Sequence, residues 1–126
     1  LSLSSALPVF AMVLALVVPC VAGVDMSAIP GVATLSVEDV LGIYRRLVDD
    51  FGNAEDAISP AGVKDRGLLE SAVHRQFTGY GGVWKYPHPL RNAASLVYGV
   101  CCDHPFYNGN KRTALVSLLV HLDANG

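Results

Sequence analysis

Residues 104–112 read HPFYNGNKR and lead straight into the apolar run of residues 113–122, TALVSLLVHL. A helix that starts near Asn110 or Lys111 leaves its first backbone N–H groups unpaired. Those donors lie at the positive pole of the helix dipole, an end that attracts phosphate or carboxylate. Gly109 lets the backbone approach a ligand closely or take a positive φ. Lys111 and Arg112 add two full positive charges in the first turn, where the dipole alone disfavours cations. Basic residues there are misplaced unless an anion binds, so Gly109, Asn110, Lys111 and Arg112 are the candidate phosphate site.

His104 stands on the entry side of the same turn. An imidazole titrates near pH ~6.5 and, beside a bound phosphate, could take a proton from an incoming hydroxyl. The alternative is a histidine that caps the carbonyls of the preceding helix. Asn108 occupies a place where a magnesium ion bridging phosphates would favour a carboxylate, so metal binding through its neutral oxygen is expected to be weak. Phe106 is expected to anchor the turn in the core and Pro105 to stiffen it. His74, His88 and His121 lack such company, and His121 reads as a core histidine on a buried helix.

The elements that must hold this turn are helical. Arg91 to Cys102 and Ala114 to Leu122 are apolar nearly all round, which predicts two central helices joined at the polar turn. Upstream, Ser36 and Asp39 form a capping box before Val37, Val40, Leu41, Tyr44, Leu47, Val48 and Phe51, which share one helical face. Asp65 is the expected N-cap of a second helix over residues 65–76, with Leu68, Leu69, Ala72 and Val73 inward. No strand alternation of useful length occurs, so the expected class is all-α. Residues 78–90, TGYGGVWKYPHPL, form either a binding loop or a surface loop whose Tyr80, Trp84 and Tyr86 cover the core edge.

The chain has 126 residues, enough for one domain, with 52% hydrophobic residues and a formal charge of −2. That balance supports a core and argues against a general nucleic-acid-binding surface. Cys20, Cys101 and Cys102 show no metal-ligand spacing and are expected to be reduced and buried. Residues 1–25 are apolar, and residues 6–24 approach the ~20 needed to span a bilayer. They read as a signal or anchor, as upstream sequence before a start at Met26, or as a buried helix; Pro8, Pro19 and the lack of basic residues weigh against the first. Residues 26–34 have linker composition, and residues 35–126 form the domain, expected to be truncated after Gly126.

The stretch from His104 to Arg112 closely resembles the motif H-x-F-x-[D/E]-[G/A]-N-[G/K]-R of the Fic/Doc (fido) family, with an asparagine at the acidic position. GVKDRGLLESAVHRQF and KYPHPLRNAASLVYGVCCD look like the segments before that motif in death-on-curing toxins. The resemblance implies a compact helical fido domain with a central buried helix hairpin and a flap loop. It implies that His104 deprotonates a hydroxyl on a target protein while the residues after it hold the phosphates of ATP, with Mg2+ at the position of Asn108. Gly79, Tyr80, Gly81, Gly82, Val83, Trp84, Lys85, Tyr86 and Pro87 are then the target-binding flap. Lys111 points to the Doc side of the family, which phosphorylates elongation factor Tu in the cytoplasm; a glycine there would point to AMP transfer. No [S/T]-x-x-x-E-[G/N] inhibitory segment is present, so a cognate antitoxin is the implied inhibitor. The remaining alternative is a degenerate fido domain that binds a nucleotide or partner without chemistry.

Overall fold

A computed structural model describes residues 29–126 except Gly82. The apolar segment 1–25 and Cys20 lie outside the described residues. Helix α1 spans Val37–Asp50, α2 Arg66–His74, α3 Pro89–Asp103 and α4 Asn110–Ala124. A single 3-10 turn, Arg75–Phe77, follows α2. Two short antiparallel strands, β1 (Gly79–Tyr80) and β2 (Val83–Trp84), pair Gly79 with Trp84 and Tyr80 with Val83. They are a small addition to a helical domain of the expected class.

Local chemistry sets the helix starts. The Ser36 hydroxyl accepts from the Asp39 N–H at 3.1 Å while the Asp39 carboxylate accepts from the Ser36 N–H at 2.9 Å, completing the capping box of α1. Asp65 caps α2 by accepting from the Leu68 N–H at 3.2 Å. Pro89 opens α3, where a missing N–H costs nothing. These starts let α1 bury Val40, Leu41, Ile43, Tyr44 and Leu47, and α2 bury Leu69, Ala72 and Val73.

Helices α3 and α4 form the central hairpin, with α2 packed on α3 and α1 on α4. Gly99 permits the closest approach: a Cβ there would lie 2.8 Å from the Ala72 carbonyl oxygen and 2.9 Å from its Cα. The expectation of helices buried all round is corrected in part. Leu90 and Tyr98 on α3 and Leu115 and Leu119 on α4 are exposed, because the neighbouring helices leave one side of each uncovered among the described residues.

Two further expectations change. Residues 29–34, read as linker, bury Ile29, Val32, Ala33 and Thr34. Asn125 holds them there, accepting from the Ala33 N–H at 2.8 Å and donating to the Ala33 carbonyl at 2.9 Å. Cys101 is half-buried, packed against the edge of the core, and Cys102 is exposed, both as free thiols. Among the described residues no helix is long and apolar enough to cross a membrane.

Candidate active site

The turn between α3 and α4 is fixed by backbone chemistry. His104 ends α3 in the left-handed region, φ 50° and ψ 57°, the one such non-glycine residue among the described residues. That conformation costs about 1–2 kcal/mol for an L-residue and persists only where the surroundings impose it. They do so here. The Pro105 carbonyl accepts from the Lys64 and Asp65 N–H groups at 2.8 and 3.2 Å, and the Tyr107 N–H donates to the Gly62 carbonyl at 3.1 Å. Val63 and Phe106 form an antiparallel bridge. The Phe106 ring is buried and stacks on Tyr44, centroids 3.9 Å apart, so it anchors the turn as its sequence position predicts.

Asn110 closes the turn internally. Its amide nitrogen donates to the Phe106 carbonyl at 2.9 Å and its oxygen accepts from the Phe106 N–H at 3.0 Å. The side chain expected to hold phosphate is therefore occupied, which leaves the backbone N–H of Asn110 for that role. Gly109 precedes the helix at φ 81°, and a Cβ there would meet Ile58 at 2.9 Å. No side chain caps α4, so the first-turn donors of Asn110, Lys111 and Arg112 have neither a cap nor an intrahelical acceptor.

Lys111 is exposed at the rim. Arg112 lies with its guanidinium 5.2 Å from the centre of the Phe51 ring and Nη2 4.0 Å from an Asp56 carboxylate oxygen. Its Nη1 is buried without a hydrogen-bond partner. A buried guanidinium nitrogen left unpaired is costly, and phosphate oxygens would satisfy it bidentately. The site thus fits the phosphates of a nucleotide.

The fit to a metal is poor. The Asn108 amide donates to the Ser59 carbonyl at 2.9 Å and its oxygen accepts from the Gly109 N–H at 2.8 Å. Both ends of the side chain are engaged, and no group of three or more His, Cys, Asp or Glu gathers among the described residues.

The expected flap is not brought to the turn. The Tyr86 carbonyl accepts from the Asn92 amide at 3.1 Å, in the first turn of α3, while His104 ends the same helix roughly 18 Å away at 1.5 Å per residue. Trp84 packs edge-on to Phe77, and the Lys85 N–H donates to the Thr78 carbonyl at 2.8 Å, so Gly79 to Pro87 lie beside the end of α2. The segment against the turn is instead the loop of residues 51–65, with Phe51, Asp56, Ile58, Ser59 and Gly62 as its contacts. Its residues 52–62, GNAEDAISPAG, carry the same glycine, proline and length cues as the hairpin. What singles it out is pairing across the fold, which composition does not record.

The Fic/DOC family profile matches residues 34–122 of the chain. A curated relative, Toxin Doc of Mycolicibacterium smegmatis, is 39% identical over 64 residues, a match that covers 51% of this chain and 49% of that protein. The chain thus aligns with about half the length of that relative. No solved structure matches. With its motif turn at the junction of the central helix hairpin and the profile spanning most of the domain, the chain belongs to the Fic/DOC family.

Proposed function

We propose that the chain is a Doc-type toxin that transfers the γ-phosphoryl group of ATP to a hydroxyl of a translation factor. The supporting observation is the buried, unpartnered Nη1 of Arg112 beside the uncapped start of α4. Arg112 and the backbone donors after Gly109 hold the phosphates, and Lys111 adds charge at the rim. His104, exposed and held in its strained conformation, accepts the proton of the target hydroxyl. The oxygen so freed bonds to the γ-phosphorus as the bond to the β,γ-bridging oxygen breaks, and ADP leaves. Because Asn108 is engaged at both ends, no step is assigned to magnesium. The loop of residues 51–65, adjacent to the turn, takes over target alignment from the hairpin. A translation factor such as elongation factor Tu places the action in the cytoplasm, and a cognate antitoxin supplies inhibition.

A second reading, a fido domain that binds nucleotide without transfer, is favoured by the engaged Asn108 oxygen. One experiment separates these. The protein is incubated with elongation factor Tu and ATP labelled at either the α- or the γ-phosphate, with and without Mg2+. The γ-label is expected on the target, falling about a hundredfold or more in His104→Ala. Transfer of the α-label would mean AMP transfer instead. Binding of ATP with neither label transferred would favour the second reading or a different target.

A further inference from the structure

We propose a second binding surface on the chain, a groove between the end of α2, the segment after β2 and the exposed side of α3, that takes an acidic amphipathic peptide segment of a partner protein. The groove holds about 520 Å³ and shares no lining residue with the phosphate turn. Its walls carry Arg75, Lys85 and Arg91, three of the nine lysines and arginines of a chain whose net charge is −2, and no carboxylate lines it. Positive charge is therefore concentrated here against the overall sign, which favours an anionic partner.

The shape indicates what kind. Arg91, Ala94, Ser95 and Tyr98 follow one another at i, i+3, i+4 and i+7 along α3, so they form one stripe of the helix. Small residues occupy the middle of that stripe, and the Ser95 hydroxyl is already used, donating to the Asn92 carbonyl at 2.6 Å. Such a floor lets a helical peptide approach closely and makes no polar demand on it. The two tyrosines flank the floor, each with a cation over its ring: Arg75 is 5.1 Å from the Tyr98 centroid and Lys85 5.4 Å from that of Tyr86. Rings occupied in this way are poor platforms for stacking bases, which favours peptide carboxylates over nucleic acid. Arg75 also has a buried Nε without a hydrogen-bond partner, and its contact with Asp103 is long at 3.6 Å.

The test uses the full chain and a labelled synthetic helix of repeated Glu-Leu-Ala-Glu units, its Gln-for-Glu counterpart and labelled polyuridine, read by fluorescence anisotropy. The acidic helix is expected to bind, and the Gln counterpart to bind at least about tenfold more weakly. Arg91→Glu is expected to weaken the acidic helix by about tenfold while leaving the His104-dependent transfer unchanged, so this proposal and the transfer reading fail separately. Ala94→Arg adds positive charge but fills the floor; it is expected to weaken binding too, with thermal melts confirming that both variants fold. Tighter binding by Ala94→Arg would show diffuse attraction and overturn the groove. Equal binding of both peptides, preference for polyuridine, or no binding of the acidic helix would overturn it as well.

Discussion

At the scale of single residues the informative position is Asn108. The family pattern places an acid there, and a carboxylate would be the natural partner of a phosphate-bound cation. In this chain the side chain instead braces the turn, as a donor to the Ser59 carbonyl and an acceptor from the Gly109 N–H. Asn108→Asp removes the donor and sets a carboxylate against a carbonyl oxygen. Without metal it is expected to lower stability by about 1 kcal/mol, the net worth of one hydrogen bond. With Mg2+ and ATP the new charge gains a partner, so transfer should rise and become metal-dependent. Unfolding midpoints and labelled transfer across a magnesium series check both halves. An Asn108→Asp protein with unaltered stability and no response to magnesium would show that the side chain holds nothing in place. The sequence displayed this residue as a departure from a pattern. It did not show that both of its polar ends were already in use, because Ser59 is 49 positions away.

At the scale of elements, the hairpin of α3 and α4 was legible because helical apolar runs and a polar, glycine-containing turn are local signals. Capping by Ser36 and Asp65 was legible for the same reason. The flap was not. Two loops with glycine, proline and comparable length compete for the role, and contacts across the fold, such as the bridge of Val63 to Phe106 and the bonds from Lys64 and Asp65 to the Pro105 carbonyl, show which one lies at the turn. Gly99 was invisible as well: within an apolar run it reads as a weak helix former, yet it sets the distance between α2 and α3. Alanine favours helix over glycine by about 1 kcal/mol. Here the added Cβ would press on the Ala72 backbone at 2.8 Å, and backbone cannot step aside as a flexible side chain can. Overpacking of this kind costs about 1–3 kcal/mol, so Gly99→Ala is expected to be destabilising by about 1 kcal/mol or more in urea unfolding. A stabilised Gly99→Ala protein would mean that the two helices separate without loss.

At the scale of the whole molecule, one buried polar chain ties together segments that are distant in sequence. Gln76 donates to the Leu35 and Val73 carbonyls at 2.9 and 2.8 Å and accepts from the Leu35 N–H at 3.1 Å. Asn92 donates to the Gln76 and Tyr86 carbonyls at 2.9 and 3.1 Å, which leaves its oxygen as the acceptor toward His121 Nε2 at 2.8 Å. His121 Nε2 is therefore protonated, and Nδ1 faces, at 3.2 Å, the Asn125 amide nitrogen, whose two hydrogens go to the Ala33 and His121 carbonyls at 2.9 and 2.8 Å. A neutral ring satisfies the Asn92 oxygen, whereas a proton on Nδ1 would meet the donor amide of Asn125. Burial pushes the His121 pKa down to about 4, with the hydrogen bond to its backbone opposing in part. The unfolded chain protonates this residue near ~6.5, so between that value and about 4 the unfolded state binds more protons than the native state. Stability is complete above the unfolded value and is lost as pH falls through this window, by about 3 kcal/mol in all, with no further loss from His121 below it. Urea unfolding from pH 7 to pH 4 should show this slope, and His121→Gln, which cannot titrate, should be less stable at neutral pH but lack its share of the slope. An identical slope in both proteins would mean that protonation elsewhere drives acid unfolding. The N-terminal segment from Ile29 to Leu35 should detach with the same transition, because Asn125 and Gln76 hold its backbone and His121 lies between them in the network.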